Sequence, residues 1–145
     1  MVKLCIYGST SLKVTNSQID DAINNMFYDY DSARTISQPF DYIDELVCGM
    51  APGVDSCALL YAIKCGVKVT PFRANWSGQG LAAGPLRNRK MAEYCTHAIG
   101  FWDGSSRGTA NMTTHLVVLG KPVTVIQLPE PTTKIIDRFS KKMAA

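Results

Sequence analysis

The sequence predicts one α/β domain spanning residues 1–145, a Rossmann-like fold of about five mostly parallel strands with helices on both faces. Three observations carry that expectation. Short β-rich apolar runs alternate with segments of helical periodicity, the loops after the strands are rich in glycine and small hydroxyl residues, and 145 residues is the size of one domain with one core. Crossovers between parallel strands are right-handed, so the alternation puts helices on both faces and gathers the loops that follow the strands at one edge. Ligands of such sheets lie beyond the carboxyl ends of the strands.

Residues 2–7 form a β-rich run that stops at Gly8-Ser9-Thr10, a strand entering a loop. Thr15-Asn16-Ser17-Gln18 has the spacing of a capping box, and Ile19, Ile23, Met26, Phe27 and Tyr30 then recur at helical intervals. Residues 31–41, with Pro39, read as an irregular connection to a second strand over 42–48, which ends at Gly49. A helix is expected over 54–65, with Ala58, Leu59, Ala62 and Ile63 facing inward and Gly66 as its stop. The third strand covers 67–72. Residues 73–85 contain Asn75, Gly78, Gly80 and Gly84 and read as a long loop, which in a small domain points to function. A short helix over 86–94, a strand over 96–102, a helix over 109–119 and a strand over 122–128 complete the pattern, with a frayed end expected after Phe139.

Hydrophobic residues make up 46% of the chain and charged residues 19%, which excludes a disordered protein. The net charge of +3, partly supplied by Lys134, Arg138, Lys141 and Lys142, is too small to argue for a nucleic-acid partner. No apolar stretch is long enough to span a bilayer and the first residues lack a secretory pattern, so the expected location is cytoplasmic, without a membrane partner. Cys5, Cys48, Cys57, Cys65 and Cys95 are odd in number, never spaced C-x-x-C, and mostly sit in apolar runs. They read as small buried hydrophobes, and neither a metal nor another cofactor is expected.

Four loops meet at the predicted edge: Gly8 to Ser11 after the first strand, Gly49 to Asp55 after the second, Arg73 to Asn88 after the third and Asp103 to Asn111 after the fourth. Gly8-Ser9-Thr10-Ser11 matches neither the P-loop nor the dinucleotide fingerprint and is either an anion-contacting loop or a plain turn. In the second loop, which opens at Gly49, Asp55 either accepts hydrogen bonds from ribose hydroxyls or caps the following helix. Gly104-Ser105-Ser106-Arg107-Gly108-Thr109 opens a helix just after a strand and is either a phosphate site built from free amides and hydroxyls or an N-capped helix with a flexible entry. Arg73, Arg87, Arg89, Lys90 and Arg107 lie in or beside these loops and form either a phosphate-binding set, since guanidinium forks match phosphate oxygens, or a solvated basic face. Arg87 and Asn88 are expected to anchor the polar end of a ligand, while Trp76 and Trp102 either stack on its base or serve as packing anchors. For catalysis the candidates are carboxylates: Asp103 at a strand end, then Glu93 on a helix. His97 and His115 are isolated and read as structural.

Taken together, Gly49 to Asp55, Ala83-Gly84-Pro85-Leu86-Arg87-Asn88-Arg89-Lys90-Met91-Ala92, Phe101 to Met112 and Gly120-Lys121-Pro122-Val123 resemble the SLOG superfamily, in particular its small stand-alone members related to YspA and YpsA. The resemblance spans roughly residues 2–127 and is most specific at Ala-Gly-Pro-x-Arg-Asn. It implies a Rossmann-like sheet, a nucleotide-derived small molecule as partner, and homo-oligomers. The superfamily includes the distantly similar "lonely guy" phosphoribohydrolases, which place a glutamate three residues after the Gly-Thr turn; Met112 stands there in this chain. Met50 and Pro52 also replace the second glycine and the basic residue of the family's second loop. A methionine neither hydrogen-bonds a ribose nor supports an oxocarbenium-like centre. The expectation is therefore a protein that senses or sequesters a phosphate-bearing nucleotide or an ADP-ribose-like signalling metabolite, held at the carboxyl ends of the sheet. The alternatives are a nucleotide N-glycosidase or phosphoribohydrolase using Asp103 or Glu93, and an oligomeric interaction protein with a vestigial pocket.

Overall fold

The computed structural model describes residues 1–129; the expected fraying point and the four terminal basic residues fall outside the described residues. Five strands, β1 (Lys3–Gly8), β2 (Glu45–Cys48), β3 (Lys68–Pro71), β4 (His97–Trp102) and β5 (Val123–Gln127), pair in the order β3-β2-β1-β4-β5. All four pairings are parallel. The Rossmann-like α/β expectation is met by this sheet.

The period of two along a strand explains how one sheet serves two cores. Leu4 and Ile6 of β1 face α1 (Asn16–Phe27) and α2 (Val54–Lys64), meeting Ile19, Ile23, Ala58 and Ala62. Cys5 and Tyr7 face the opposite way, toward Met91 and Ala92 of α4 (Ala83–Tyr94) and Met112 and Leu116 of α5 (Arg107–Val118). Covered on both sides, β1 and β4 are continuous apolar runs, as buried parallel strands require. From β1 the chain builds outward through β2 to β3, then crosses to the other side of β1 to lay down β4 and β5. The order therefore reverses between β1 and β4, and a crevice opens where their ends diverge.

The first helix begins as the sequence predicts: Thr15 Oγ1 accepts the Gln18 N–H at 3.1 Å and Gln18 Oε1 accepts the Thr15 N–H at 2.9 Å. Several other boundaries differ. Tyr30 lies past the end of α1 and is exposed, resting edge-on against Phe27. The second strand starts at Glu45, because Pro39–Tyr42 forms a 3-10 turn that buries Phe40. In α2 the inward stripe is Val54, Ala58 and Ala62, so Leu59 is half-buried and Ile63 is 59% exposed; small residues let this helix lie close to the sheet. The expected loop over 73–85 is largely helical. Asn75 caps a short helix, α3 (Trp76–Gln79), by accepting the Gly78 N–H at 3.0 Å, a 3-10 turn follows, and α4 already starts at Ala83. Pro85 is tolerated within the first turn of α4, where backbone N–H groups lack helical partners anyway.

Cys5, Cys48 and Cys95 are buried as expected, Cys57 and Cys65 only half so, and all five are free thiols. No helix among the described residues is long and apolar enough to cross a membrane.

Candidate functional site

At the crevice between β1 and β4 lies an inner pocket of about 80 Å³, walled by Tyr7, Gly8, Asp55, Met91 and Met112. Past Thr10, Ala51, Arg87 and Ser106 it adjoins an outer cleft of about 1010 Å³. Met50, Pro52, Trp76, Leu81 and Pro85 give that cleft an apolar side, and Arg73 and Arg107 give it a basic rim.

The first loop is held by backbone proximity. A Cβ on Gly8 would stand 2.3 Å from the Phe101 carbonyl oxygen and 2.6 Å from the Val54 side chain, so only glycine fits. Ser9 is fully buried; its N–H donates to the Phe101 carbonyl and its Oγ accepts the Asp103 N–H, both at 3.0 Å. It stitches the first loop to the fourth and does not line the cleft, whereas Thr10 lines both compartments.

In the second loop Gly53 has φ +79, and a Cβ there would lie 2.5 Å from the Thr10 carbonyl oxygen, which makes glycine necessary. Gly53 also occupies the cap position of α2. Asp55 sits inside the first turn instead, 4% exposed, with Oδ2 accepting the Ala51 N–H at 3.1 Å and so closing the loop that precedes it. Burial raises its carboxyl from 3.8 to about 6, while the Ala51 N–H and the Arg87 charge pull the other way.

Arg87 and Asn88 come together with this loop and the fourth. Arg87 Nη1 donates to the Gly49 carbonyl at 2.6 Å and Nε donates to Asn88 Oδ1 at 3.0 Å. Asn88 Nδ2 donates to the Gly108 carbonyl at 3.2 Å and to Asn111 Oδ1 at 3.1 Å. Both amide hydrogens of this buried side chain are thus taken by protein. Asn88 positions Arg87 and fastens α4 to the first turn of α5.

The fourth loop is organised around Asp103. Its Oδ1 accepts the N–H groups of Ser105 at 2.9 Å and Ser106 at 2.8 Å, and its Oδ2 accepts the Ser11 hydroxyl at 2.9 Å. These donors hold its carboxyl at about 2, a permanently ionised bracket rather than an acid. Trp102 Nε1 donates to the Ser106 carbonyl at 3.0 Å, clamping the same loop. Gly104, at φ +90, would press a Cβ against the Gln127 side chain, and neither it nor Trp102 or the exposed Ser105 lines the cleft. Ser106 caps α5, its Oγ accepting the Thr109 N–H at 3.4 Å. Gly108 faces the cleft, with no atom of the described residues within 4 Å of where its Cβ would be. The buried Thr109 reaches the inner pocket.

Glu93 is on the outer side of α4, paired with Arg89 at 3.1 Å and away from the cleft. His97 is structural, its ring 5.0 Å from that of Phe27. Trp76 does line the cleft, 59% exposed and with its ring edge over Gly84. Sequence reasoning missed Tyr7 and Met91 as lining residues, and did not single out Leu81, Pro85 and Asn111 within the loops it brought to this edge. Tyr7 was open to inference as the last apolar position of β1 before its glycine, and Asn111 as the residue one helical turn beyond Gly108.

No protein-family model and no curated protein sequence matches the chain. Among solved structures it is similar to the X-ray structure of DNA processing protein A (DprA) from Streptococcus pneumoniae, at 16% sequence identity and a TM-score of 0.46. The match covers 86% of this chain and 59% of that one, so this chain spans less than two thirds of that protein's length.

Proposed function

We propose that the protein is a SLOG-type module that holds a phosphate-bearing nucleotide or ADP-ribose-like metabolite at the β1–β4 crevice, as a sensor or a sequestering protein. One observation carries the reading: a single cleft joins Arg73, Arg87, Arg107 and the amino end of α5 to an apolar side that includes Trp76. Arginines and free helix amides attract phosphate, and an exposed indole offers a face on which a base stacks. Such a ligand needs neither nucleic acid nor membrane as partner. A second copy of the chain is the proposed protein partner, supported by exposed apolar residues on α2 (Leu60, Ile63) and at the end of α5 (Val117, Val118).

Holding rather than cleaving is favoured by the state of the carboxylates chosen from sequence. Asp103 is engaged by loop donors, Glu93 lies off the site, and Met112 walls the inner pocket where the related hydrolases carry glutamate. A nucleotide N-glycosidase remains the second reading because Asp55, at about 6, is a carboxyl within the pocket poised near neutral pH.

Mass spectrometry of small molecules released on denaturing the purified protein tests the first reading, together with thermal shifts in ADP-ribose and nucleoside phosphates. A ligand at one hundred times its Kd should add about 2.7 kcal/mol of stability. No released molecule and no shift with any of them would remove the proposal. Steady release of free base from a nucleoside 5′-monophosphate, abolished by Asp55→Asn, would install the enzyme in its place.

A further inference from the structure

The two compartments differ in charge as well as in width. Asp55 walls the inner pocket, Arg73 and Arg107 line only the outer cleft, and Arg87 stands at their junction. An anion in the inner pocket would face a carboxylate in a confined space, where like charges repel more strongly than in bulk water. In the outer cleft it meets Arg73 and Arg107 in addition to Arg87, and no carboxylate is among the described residues that line it.

Most polar side chains on the other walls of the inner pocket are engaged within the protein: Asn88 donates to the Gly108 carbonyl and to Asn111, Ser106 and Thr109 share a hydroxyl contact at 3.1 Å, and Thr10 stands at the mouth shared with the outer cleft. Tyr7 Oη is already bonded to Thr113 Oγ1 at 2.7 Å, and the thioethers of Met91 and Met112 are weak acceptors. Asp55 is the exception. Its Oδ2 takes the Ala51 N–H, while Oδ1 makes no hydrogen bond among the described residues and is not an enclosed orphan, so it is open to the pocket. The volume of about 80 Å³ is several times what one water needs, ~10–15 Å³, yet well below that of an ordinary whole-ligand site. The apolar faces of Met91 and Met112, one open carboxylate oxygen among otherwise engaged polar groups, and this size suit a small uncharged ring that carries hydroxyl donors.

We propose that the inner pocket takes the terminal ribose ring of a ligand such as ADP-ribose, with the ring's 2-hydroxyl donating to Asp55 Oδ1 and the adjoining phosphate held outside by the arginines. Asp55 is then the residue that selects ribose over 2-deoxyribose. This rests on the nucleotide-derivative reading of the cleft and adds the ligand's orientation and the group that reads its sugar. Above pH 6 the carboxyl is ionised and serves purely as an acceptor.

The test is calorimetric titration at pH 7.5 of the wild type, Asp55→Asn and Asp55→Ala with ribose 5-phosphate, 2-deoxyribose 5-phosphate and ADP-ribose. The wild type should bind ribose 5-phosphate about tenfold more tightly than the deoxy sugar, equivalent to about 1.4 kcal/mol. Asp55→Ala should bind the two alike, with its affinity for the deoxy sugar unchanged or improved. Asp55→Asn keeps an oxygen for the Ala51 N–H and decides the matter if the alanine variant does not fold; its preference should drop to about threefold or less, since the charge assistance to the hydroxyl bond is lost. Equal binding of both sugars by a wild type that binds ADP-ribose would overturn the proposal and leave the cleft reading intact. Tightening of both sugars alike in Asp55→Asn would put the phosphate beside Asp55 and also overturn it. Failure of the wild type to bind any of the three would remove the proposal and the cleft reading together.

Discussion

Replacing Asp55 by asparagine should stabilise the protein at neutral pH, although the substitution removes a charge that the Arg87 guanidinium attracts. The carboxyl is 4% exposed, and burial raises it from 3.8 in the unfolded chain to about 6 in the native state. The native state therefore keeps its proton to higher pH than the unfolded state. The contribution to stability is complete below about pH 3.8, declines as pH rises through 3.8 to 6, and is gone above that window. At about 1.36 kcal/mol per pH unit the loss amounts to about 3 kcal/mol. Asparagine stays neutral and keeps an oxygen for the Ala51 N–H, so its advantage over the wild type should be about 0.5 kcal/mol at pH 4 and about 3 kcal/mol at pH 7.5. Urea melts of both proteins across that range measure it; with ordinary slopes the midpoint at pH 7.5 should rise by roughly 1–2 M. Other groups titrate too: donors hold Asp103 low, burial lowers His97, and both shape the absolute profile. They are common to the two proteins and cancel in the difference. A difference that is the same at pH 4 and pH 7.5 would show that Asp55 ionises as freely as in the unfolded chain, and the burial argument would be refuted.

Arg87→Ala should weaken ADP-ribose binding by roughly tenfold or more in calorimetry, through loss of a charge-assisted contact of about 1.5–3 kcal/mol. Unchanged affinity would move the anion away from this guanidinium. Gly108→Val should leave the circular-dichroism melt within about 1 kcal/mol of the wild type, because its Cβ meets no atom of the described residues within 4 Å, yet lower affinity by crowding the cleft. A folded variant with full affinity would clear Gly108 from the site. Gly8→Ala should do the reverse and act on the fold itself, since its Cβ would stand 2.3 Å from a backbone oxygen that cannot turn aside. A loss of about 3 kcal/mol or more in thermal denaturation is expected, and a near-normal melt would contradict the close approach of β1 and β4.

What was legible in the sequence was what local chemistry decides. The capping box at Thr15, the Ser106 turn that opens α5 and the glycine that ends β1 are written in a few adjacent residues, and each is found close to where it was expected. The helical turns over residues 76–85 were hidden because Gly78, Gly80, Gly84 and Pro85 carry turn signals. Their conformation is settled by the Asn75 cap and by the ring of Trp76 lying where a Cβ on Gly84 would crowd it. Ile63 was misplaced because alanines give a faint hydrophobic signal, yet Ala58 and Ala62 are what let α2 approach the sheet. Within the site, residue type announced hydrogen-bonding capacity but not direction. Ser9, Trp102 and Asp103 turn that capacity toward the loops themselves, whereas Asp55, with two readings open, keeps one oxygen toward the pocket.

The chain of contacts from the Gly49 carbonyl through Arg87 and Asn88 to Gly108 and Asn111 has a thermodynamic consequence. A free arginine side chain carries about 2 kcal/mol of rotamer entropy, and a phosphate that must capture a waving guanidinium gives up part of its binding energy to still it. Here Nε and Nη1 are tied down as the protein folds, so the immobilisation is charged to folding and not to association. Ligand capture at this rim should accordingly proceed with little rearrangement of α4 against α5. If the cleft holds a phosphate-bearing ligand as proposed, such rigidity would appear as slow release, because the guanidinium cannot swing away and take the phosphate with it.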